Sequence, residues 1–184
     1  MKTSHWWLAV LCAFTACTST PPISYYSLDM RPSGRSDVPG TLQIEGVRTA
    51  ESLARSQIQI LATPTRIEYY ATHEWAGSLG EMVRRKLEAE LPSTGRGPRT
   101  LKLSGTLLEC CQVDGPNGPV ARMSLSAAIR DANQPSFKAP LVEKTYSSTE
   151  PMNAASPDAA AQALSRCTEN IAALIAADIQ TLPS

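Results

Sequence analysis

The sequence predicts an α+β fold in which a mainly antiparallel sheet carries two helices on one face. Two segments repeat apolar residues at the three- and four-residue spacing of an amphipathic helix. The other ordered segments alternate apolar and polar residues, as half-buried strands do. Their order is strands, a helix, three consecutive strands and a second helix, which is typical of a two-layer sandwich. The 184 residues are enough for one domain with a substantial core.

The amino terminus has the pattern of an export signal. Lys2 supplies a cationic start, residues 6–14 form an uninterrupted apolar run, and two small residues precede Cys17. This pattern is typical of a cleaved signal. It also resembles the bacterial lipobox, which implies cleavage before Cys17 and diacylglycerol on its thiol. The alternative is an ordinary secretory signal with an incidental cysteine. We expect a signal peptide at 1–16, the lipidated Cys17 and a short linker at 17–24, and a single domain at 25–184.

A lipid anchor at Cys17 predicts a location in the cell envelope. Two or three acyl chains hold a protein stably on a membrane, whereas one chain binds marginally. Residue 18 is Thr rather than the Asp that retains lipoproteins at the inner membrane in enteric-type sorting. That resemblance implies the periplasmic face of the outer membrane.

Charge and hydropathy exclude two classes of protein. The chain has 17 Lys plus Arg and 17 Asp plus Glu, without the basic excess of a nucleic-acid-binding protein. No apolar run reaches the roughly 18 residues that a membrane-spanning helix needs. A multispanning transporter is therefore excluded.

The first half of the domain contains three short strands and a helix. After a Pro-, Gly- and Ser-rich loop at 32–40, alternation predicts strands at 41–47, 57–61 and 66–71. A helix is predicted from about residue 75 to residue 91, where Pro92 ends it. Gly77 and Gly80 weaken its first turns, so we expect close packing there. The apolar stripe of this helix comprises Trp75, Leu79, Met82, Val83, Leu87 and Leu91.

The second half contains a hairpin, a third strand and a long helix. Strands at 100–113 and 120–131 flank a turn-rich loop at 114–118, and a strand at 141–147 follows. Ser156 is the predicted N-cap of the last helix, Pro157 its first residue and Asp158 a favourable partner of its dipole. The strand at 120–131 has one apolar face, formed by Ala121, Met123, Leu125, Ala127 and Ile129. The buried stripe of the last helix comprises Leu164, Cys167, Ile171, Leu174, Ile175 and Ile179.

Three cysteines follow Cys17 in the chain. Cys110 and Cys111 are adjacent in a strand and should point to opposite faces. Cys111 has the parity of the apolar positions 101, 103 and 107, and Cys167 lies on the apolar stripe of the last helix. A Cys111–Cys167 disulfide is therefore one expectation in an oxidising periplasm. Three buried free thiols are the other.

The sequence predicts no enzyme, no metal site and no cofactor. His73 is the only histidine after residue 17, and no G-x-S-x-G elbow surrounds a serine. The chain also lacks the zinc spacings C-x-x-C and H-E-x-x-H and a phosphate loop of Walker type, so it cannot be an ATPase. The basic run at 84–86 is interpreted as a solvated helix face, with contact to lipid phosphate or an acidic partner as the alternative.

Paired aromatic residues supply the candidate contact site. In a strand, one tyrosine of each adjacent pair should be buried and the other more exposed, and exposed aromatics are enriched at protein interfaces. Trp75 is interpreted as a core anchor. The candidate partner-contact residues are Tyr25, Tyr26, Tyr69, Tyr70 and His73.

Several of these residues resemble a known family. The lipobox followed by Pro21-Pro22 and Tyr25-Tyr26-Ser27-Leu28 resembles the opening of the ABC-type transport auxiliary lipoproteins, the family that includes paraquat-inducible protein C. Two further segments are similar to the same family. They are Leu53-Ala54-Arg55-Ser56-Gln57-Ile58 and Glu68-Tyr69-Tyr70, the latter together with His73, Trp75-Ala76 and Leu79. The resemblance covers nearly the whole chain after Cys17. Cys110-Cys111 departs from it, since an aromatic is expected near the end of that strand.

The resemblance implies partners and a fold. The expected partners are a membrane-anchored MCE (mammalian cell entry) protein and ABC transporter subunits, which together move lipids or other hydrophobic molecules across the envelope. The implied fold resembles the N-terminal domain of TolB, and homo-oligomerisation stays open. Two alternatives belong to other classes: a structural or assembly lipoprotein of an outer-membrane complex, and a periplasmic lipid-binding carrier.

Overall fold

The computed structural model describes residues 21–36, 38–95, 99–135 and 137–182. The predicted signal peptide and Cys17 lie outside these residues. The described chain forms a sheet, two α-helices and a short 3-10 helix at Glu51–Leu53. The elements are β1 (Ser24–Tyr26), β2 (Thr41–Thr49), β3 (Gln57–Thr63), β4 (Arg66–Trp75), α1 (Leu79–Glu90), β5 (Thr100–Val113), β6 (Val120–Asp131), β7 (Val142–Pro151) and α2 (Pro157–Gln180).

The α+β prediction is confirmed, but the sheet is mixed rather than mainly antiparallel. Its order is β1-β4-β3-β5-β6-β7, with β2 also paired to β5. Among the described residues, β1–β4, β2–β5 and β3–β5 are parallel, whereas β3–β4, β5–β6 and β6–β7 are antiparallel. Alternation reports which face is buried and not the direction of the neighbouring strand. The likeness to the TolB N-terminal domain stays a prediction.

The first helix begins later than predicted, because Trp75 completes β4. The Trp75 N–H donates to the Ser56 carbonyl oxygen at 2.8 Å, and pairing with β1 continues to this residue. Ser78 is the N-cap, and α1 starts at Leu79. Trp75 is nonetheless buried, with 4% of its surface exposed, as a core anchor should be.

The start of the last helix is confirmed. The Ser156 hydroxyl accepts the Ala159 N–H at 3.3 Å, and α2 begins at Pro157. The prediction is wrong for one residue of the buried stripe, since Leu174 is 47% exposed. The helix is fixed to the sheet through Tyr146 of β7, whose hydroxyl donates to Asp178 Oδ2 at 2.7 Å.

Both helices pack on the same face of the sheet, as predicted, and share one core with it. Among the described residues, no helix is both long and apolar enough to span a bilayer. Gly80 permits a close approach of α1 to β2, because a Cβ there would lie 2.3 Å from the Val47 carbonyl oxygen. Gly77 has no atom within 4 Å of such a position, so close packing is confirmed for Gly80 alone. The strand side of the core includes Leu103, Leu107 and the predicted face Ala121, Met123, Leu125, Ala127 and Ile129.

A bulge in β5 exchanges the faces predicted for the two adjacent cysteines. The register with β6 shifts between Leu107 and Glu109. Every residue beyond the shift therefore lies on the face opposite to its predicted one. Cys110 joins the core beneath the helices, and Cys111 lies on the other face beside Arg122.

The cysteines after Cys17 are free and buried thiols in this structure. Cys111 and the α2 residue Cys167 are on opposite sides of the sheet because of the bulge, and no bond joins them. Burial raises the pKa of both thiols to about 11.

Residues 27–36 and 38, here called the strap, cross the helix layer between β1 and β2. Leu28 and Val38 anchor its two ends in the core. Near the first end, the Asp29 N–H donates to the Ser165 hydroxyl of α2 at 2.9 Å. The strap therefore joins the amino-terminal strand to the last helix.

Lys86 is enclosed beneath the strap, where it forms a buried ion cluster. Its side chain is 0% exposed, and Nζ lies 2.7 Å from Glu90 Oε1 and 3.1 Å from Glu169 Oε1. Nζ also donates to the Arg31 carbonyl oxygen at 2.7 Å. The Ser33 N–H and hydroxyl donate to Glu90. The prediction that Lys86 belongs to a solvated face is therefore wrong.

Candidate partner-binding site

The structure brings three of the five predicted contact residues together at the β1 edge of the sheet. Tyr26 Oη lies 3.1 Å from His73 Nδ1, and the two ring centroids are 5.6 Å apart. Tyr70 presents its ring nearly perpendicular to that of His73, at 5.9 Å between centroids. We call Tyr26, Tyr70 and His73 the edge cluster. Parallel pairing of β1 with β4 creates it, because Ser24 is placed opposite His73 and Tyr26 opposite Trp75.

Hydrogen bonds connect the edge cluster to the hairpin loop. The Tyr70 hydroxyl donates to Gln112 Oε1 at 2.7 Å, and Gln112 Nε2 donates to Asp114 Oδ1 at 2.7 Å. Gln112 is 1% exposed, so its amide needs these partners. These contacts hold the tyrosine rings in fixed positions, so the surface of the site is rigid.

A cleft of about 220 Å³ opens beside the cluster, between β1 and the start of α2. Tyr26 forms one wall of the cleft. The pKa of its hydroxyl is raised, mainly by desolvation and to a lesser extent by the nearby Asp158 carboxylate. The cleft therefore offers hydroxyl and carboxylate groups next to aromatic rings. Its lining comprises Tyr26, Ser27, Asp29, Asp158, Ala161, Gln162 and Ser165.

The other two predicted contact residues lie on the opposite, helix-free face. Tyr25 pairs with Glu74 and is 64% exposed. Tyr69 is half-buried, with the Arg55 guanidinium 4.9 Å above its ring centroid. In the first pair Tyr26 is half-buried and Tyr25 exposed, so only the predicted difference in exposure is present; in the second pair both rings are half-buried. The five residues thus form two separate surfaces around β1 and β4.

Among the described residues, β1 is the last strand at this side of the sheet order, so one edge of its backbone has no neighbouring strand within this part of the chain. An edge strand can accept an additional strand from a partner, and a strand of three residues limits unselective pairing. Sequence analysis found the tyrosines but missed this strand. Three residues are too few to establish an alternating pattern.

Among the described residues, neither the metal-ligating nor the basic side chains are gathered into one group. No group of three His, Cys, Asp or Glu side chains within the described ranges is arranged to hold a metal ion. The basic run at 84–86 does not contribute a cationic surface as a unit. Arg84 pairs with Glu81 at 2.6 Å and also with Glu88, and Lys86 is buried.

A family model described as "ABC-type transport auxiliary lipoprotein component" matches residues 26–176. The chain belongs to this family. The match begins at Tyr26, in the edge cluster, and ends inside α2, so it includes the strap, the sheet and both helices. A lipoprotein role and a place in a transport assembly are properties of the ABC-type transport auxiliary lipoproteins as a family.

Solved structures share the fold with this ABC-type transport auxiliary lipoprotein. An uncharacterised protein superposes with a TM-score of 0.66 at 16% identity, covering 86% of this chain and 99% of that one. A Xanthomonas campestris protein of the family DUF330 superposes with a TM-score of 0.64 at 15% identity, covering 86% of this chain and 95% of that one. No curated protein matches the chain significantly.

Proposed function

We propose that this lipoprotein is the non-catalytic docking subunit of an envelope transport system for lipids or other hydrophobic molecules. Its partners in that system are an ABC transporter and an MCE-type protein. The family match over residues 26–176 carries the proposal. Acyl chains on Cys17 hold the domain at the periplasmic face of the outer membrane, and the folded domain captures the partner.

The β1 edge supports a docking role. Tyr26 and Tyr70 are held by hydrogen bonds to His73 and Gln112, so little side-chain freedom is lost when a partner binds. The exposed Tyr25, on the helix-free face of the same strand, supplies apolar area. A partner strand added beside β1 would contact both faces of this edge.

Crosslinked affinity purification of the full-length protein from native membranes tests this function. We expect an MCE-type protein and transporter subunits in the crosslinked complex, with acyl chains on Cys17 found by mass spectrometry. The Cys17→Ala variant is the control, and it should be released from the membrane fraction. Recovery of an outer-membrane β-barrel alone would favour a structural lipoprotein. Phospholipid retained by the purified protein in the absence of partners would favour a carrier.

Site-specific crosslinking locates the partner surface. A photoreactive amino acid in place of Tyr25 should capture the partner, because this side chain is 64% exposed beside the edge strand. The same amino acid in place of Leu174 is the matched control, since Leu174 is 47% exposed on α2. Equal capture from both positions would contradict docking at β1.

A further inference from the structure

An apolar row crosses the helix-free face at one end of the sheet. Pairing register places Ile67 of β4 opposite Leu61 of β3, Leu61 opposite Val113 of β5, and Val113 opposite Val120 of β6. Side chains at paired positions share one face of a sheet, so these four form a continuous strip across four strands. We call Leu61, Ile67, Val113 and Val120 the apolar row.

The apolar row does not belong to the hydrophobic core. None of its four members is in the core cluster or packs against it. Ile67 is 46% exposed, and the other three are half-buried against each other. The helices cover the opposite face. A partly exposed apolar strip on four adjacent strands is a candidate contact surface.

The direction of β1 shows which end of the sheet is nearest to the lipid anchor. β1 is parallel to β4, so the chain enters β1 from the end at which β4 begins, beside Ile67. The described residues that lead into β1 include Ile23, which is 48% exposed. Six residues separate Cys17 from Ser24, and the seven-residue step between the two spans at most about 25 Å when extended.

The apolar row is within reach of the membrane to which that anchor is attached. Ile67 and Glu74, the partner of Tyr25, pair with Leu61 and Gln57, which are four residues apart on β3, or about 13 Å along a strand. The charged residues that flank Ile67, Arg66 and Glu68, pair with each other at 2.9 Å, and the charged residue next to Val113 is the acidic Asp114. Contact at this end therefore depends on apolar burial and not on attraction to anionic headgroups.

We propose that the apolar row rests on the lipid surface, so that the domain is docked on the membrane in one orientation rather than swinging on its anchor. The inference rests on the proposed function through the acylation of Cys17. The acyl chains confine the domain near the bilayer at a high effective concentration, so a weak apolar contact is enough to fix the orientation. The opposite end of the sheet then points away from the membrane.

Depth-dependent quenching tests the docked orientation in the full-length acylated protein. An environment-sensitive fluorophore is attached to Ile67→Cys, and the protein is placed in nanodiscs of phosphatidylethanolamine with brominated acyl chains. Thr145→Cys is the control, because it is exposed on the same face but pairs with Ser126 far from the apolar row. We expect severalfold stronger quenching at position 67 than at position 145, unchanged by salt.

A matched pair of substitutions measures the contribution of the apolar row. With the fluorophore on Val120→Cys, Ile67→Ser should lower the ratio of docked to undocked protein about fivefold, as expected when roughly 1 kcal/mol of apolar burial is lost. Leu174→Ser removes a side chain of nearly equal exposure from α2 and should leave the ratio unchanged.

Three results would overturn the inference. Equal quenching at positions 67 and 145 in acylated protein would refute the orientation while leaving the transport role intact. Quenching that appears only after an MCE-type partner is added would assign the apolar row to a protein surface. A mature protein without acyl chains on Cys17, read by mass spectrometry on the same sample, would remove the anchor and with it both this inference and the proposed membrane attachment.

Discussion

At the scale of single residues, the Lys86 cluster should determine much of the stability. Lys86→Met removes a fully buried ammonium and leaves Glu90 and Glu169 without their cation. Breaking a buried pair in this way typically costs about 3–5 kcal/mol. We expect a loss of that size in urea unfolding of the purified protein. The double variant Lys86→Met/Glu90→Gln should recover part of it, because one buried charge is also removed.

The same cluster predicts a pH dependence. Burial alone would raise the pKa of Glu90, but hydrogen bonds from Lys86 and Ser33 bring it below the ordinary value. The unfolded chain therefore binds a proton at Glu90 more readily than the folded one. The stabilisation is complete above the unfolded pKa of about 4.3 and is lost as the pH falls through the lower folded pKa. Unfolding measured from pH 6 to pH 3 should show a smaller decline in Glu90→Gln.

The buried thiols give a third expectation. The raised pKa values of Cys111 and Cys167, about 11 in each case, keep the thiolate fraction very small at neutral pH. We expect maleimide to react slowly with Cys110, Cys111 and Cys167 in the folded protein and with all three after denaturation without reductant. Reaction of Cys110 alone in the denatured protein would establish the Cys111–Cys167 disulfide instead.

At the scale of elements, the contact between α1 and β2 depends on the missing side chain at Gly80. Alanine favours a helix by about 1 kcal/mol over glycine, yet its Cβ would lie 2.3 Å from the Val47 carbonyl oxygen. The helix must move, and overpacking of this kind costs about 1–3 kcal/mol. Gly80→Ala should therefore lower the melting temperature, whereas Gly77→Ala, which has open space, should not. A stabilised Gly80→Ala protein would refute the close approach.

Local sequence pattern is enough to predict most helices and strands. The errors occur where a contact with a residue far away in the sequence determines the structure. The spacing of apolar residues predicts both helices and the three-stranded meander. The residue types Ser156, Pro157 and Asp158 predict the N-cap. The start of α1 is not predicted in this way, because Trp75 is held in β4 by Ser56 and by β1. A bulge of one residue in β5 reversed the faces of Cys110 and Cys111.

At the scale of the whole molecule, the candidate site was only partly predictable. The tyrosines and His73 were found from composition, but their separation into two surfaces depends on the parallel alignment of β1 with β4. The sequence predicts a solvated Lys86, because the strap that covers this residue has the composition of a loop. Neither the pairing direction nor the course of the strap leaves a periodic signal.

The contact between Asp29 and Ser165 has a consequence for the order in which the domain folds. It joins positions 136 residues apart, and Glu169 on the same helix completes the Lys86 cluster. Neither bond can form until α2 has been synthesised and, under the attachment through Cys17 that we propose, exported as well. A domain rich in such non-local contacts folds slowly. The strap therefore stays without its α2 contacts until the last helix is available, and it is among the last parts of the domain to become ordered.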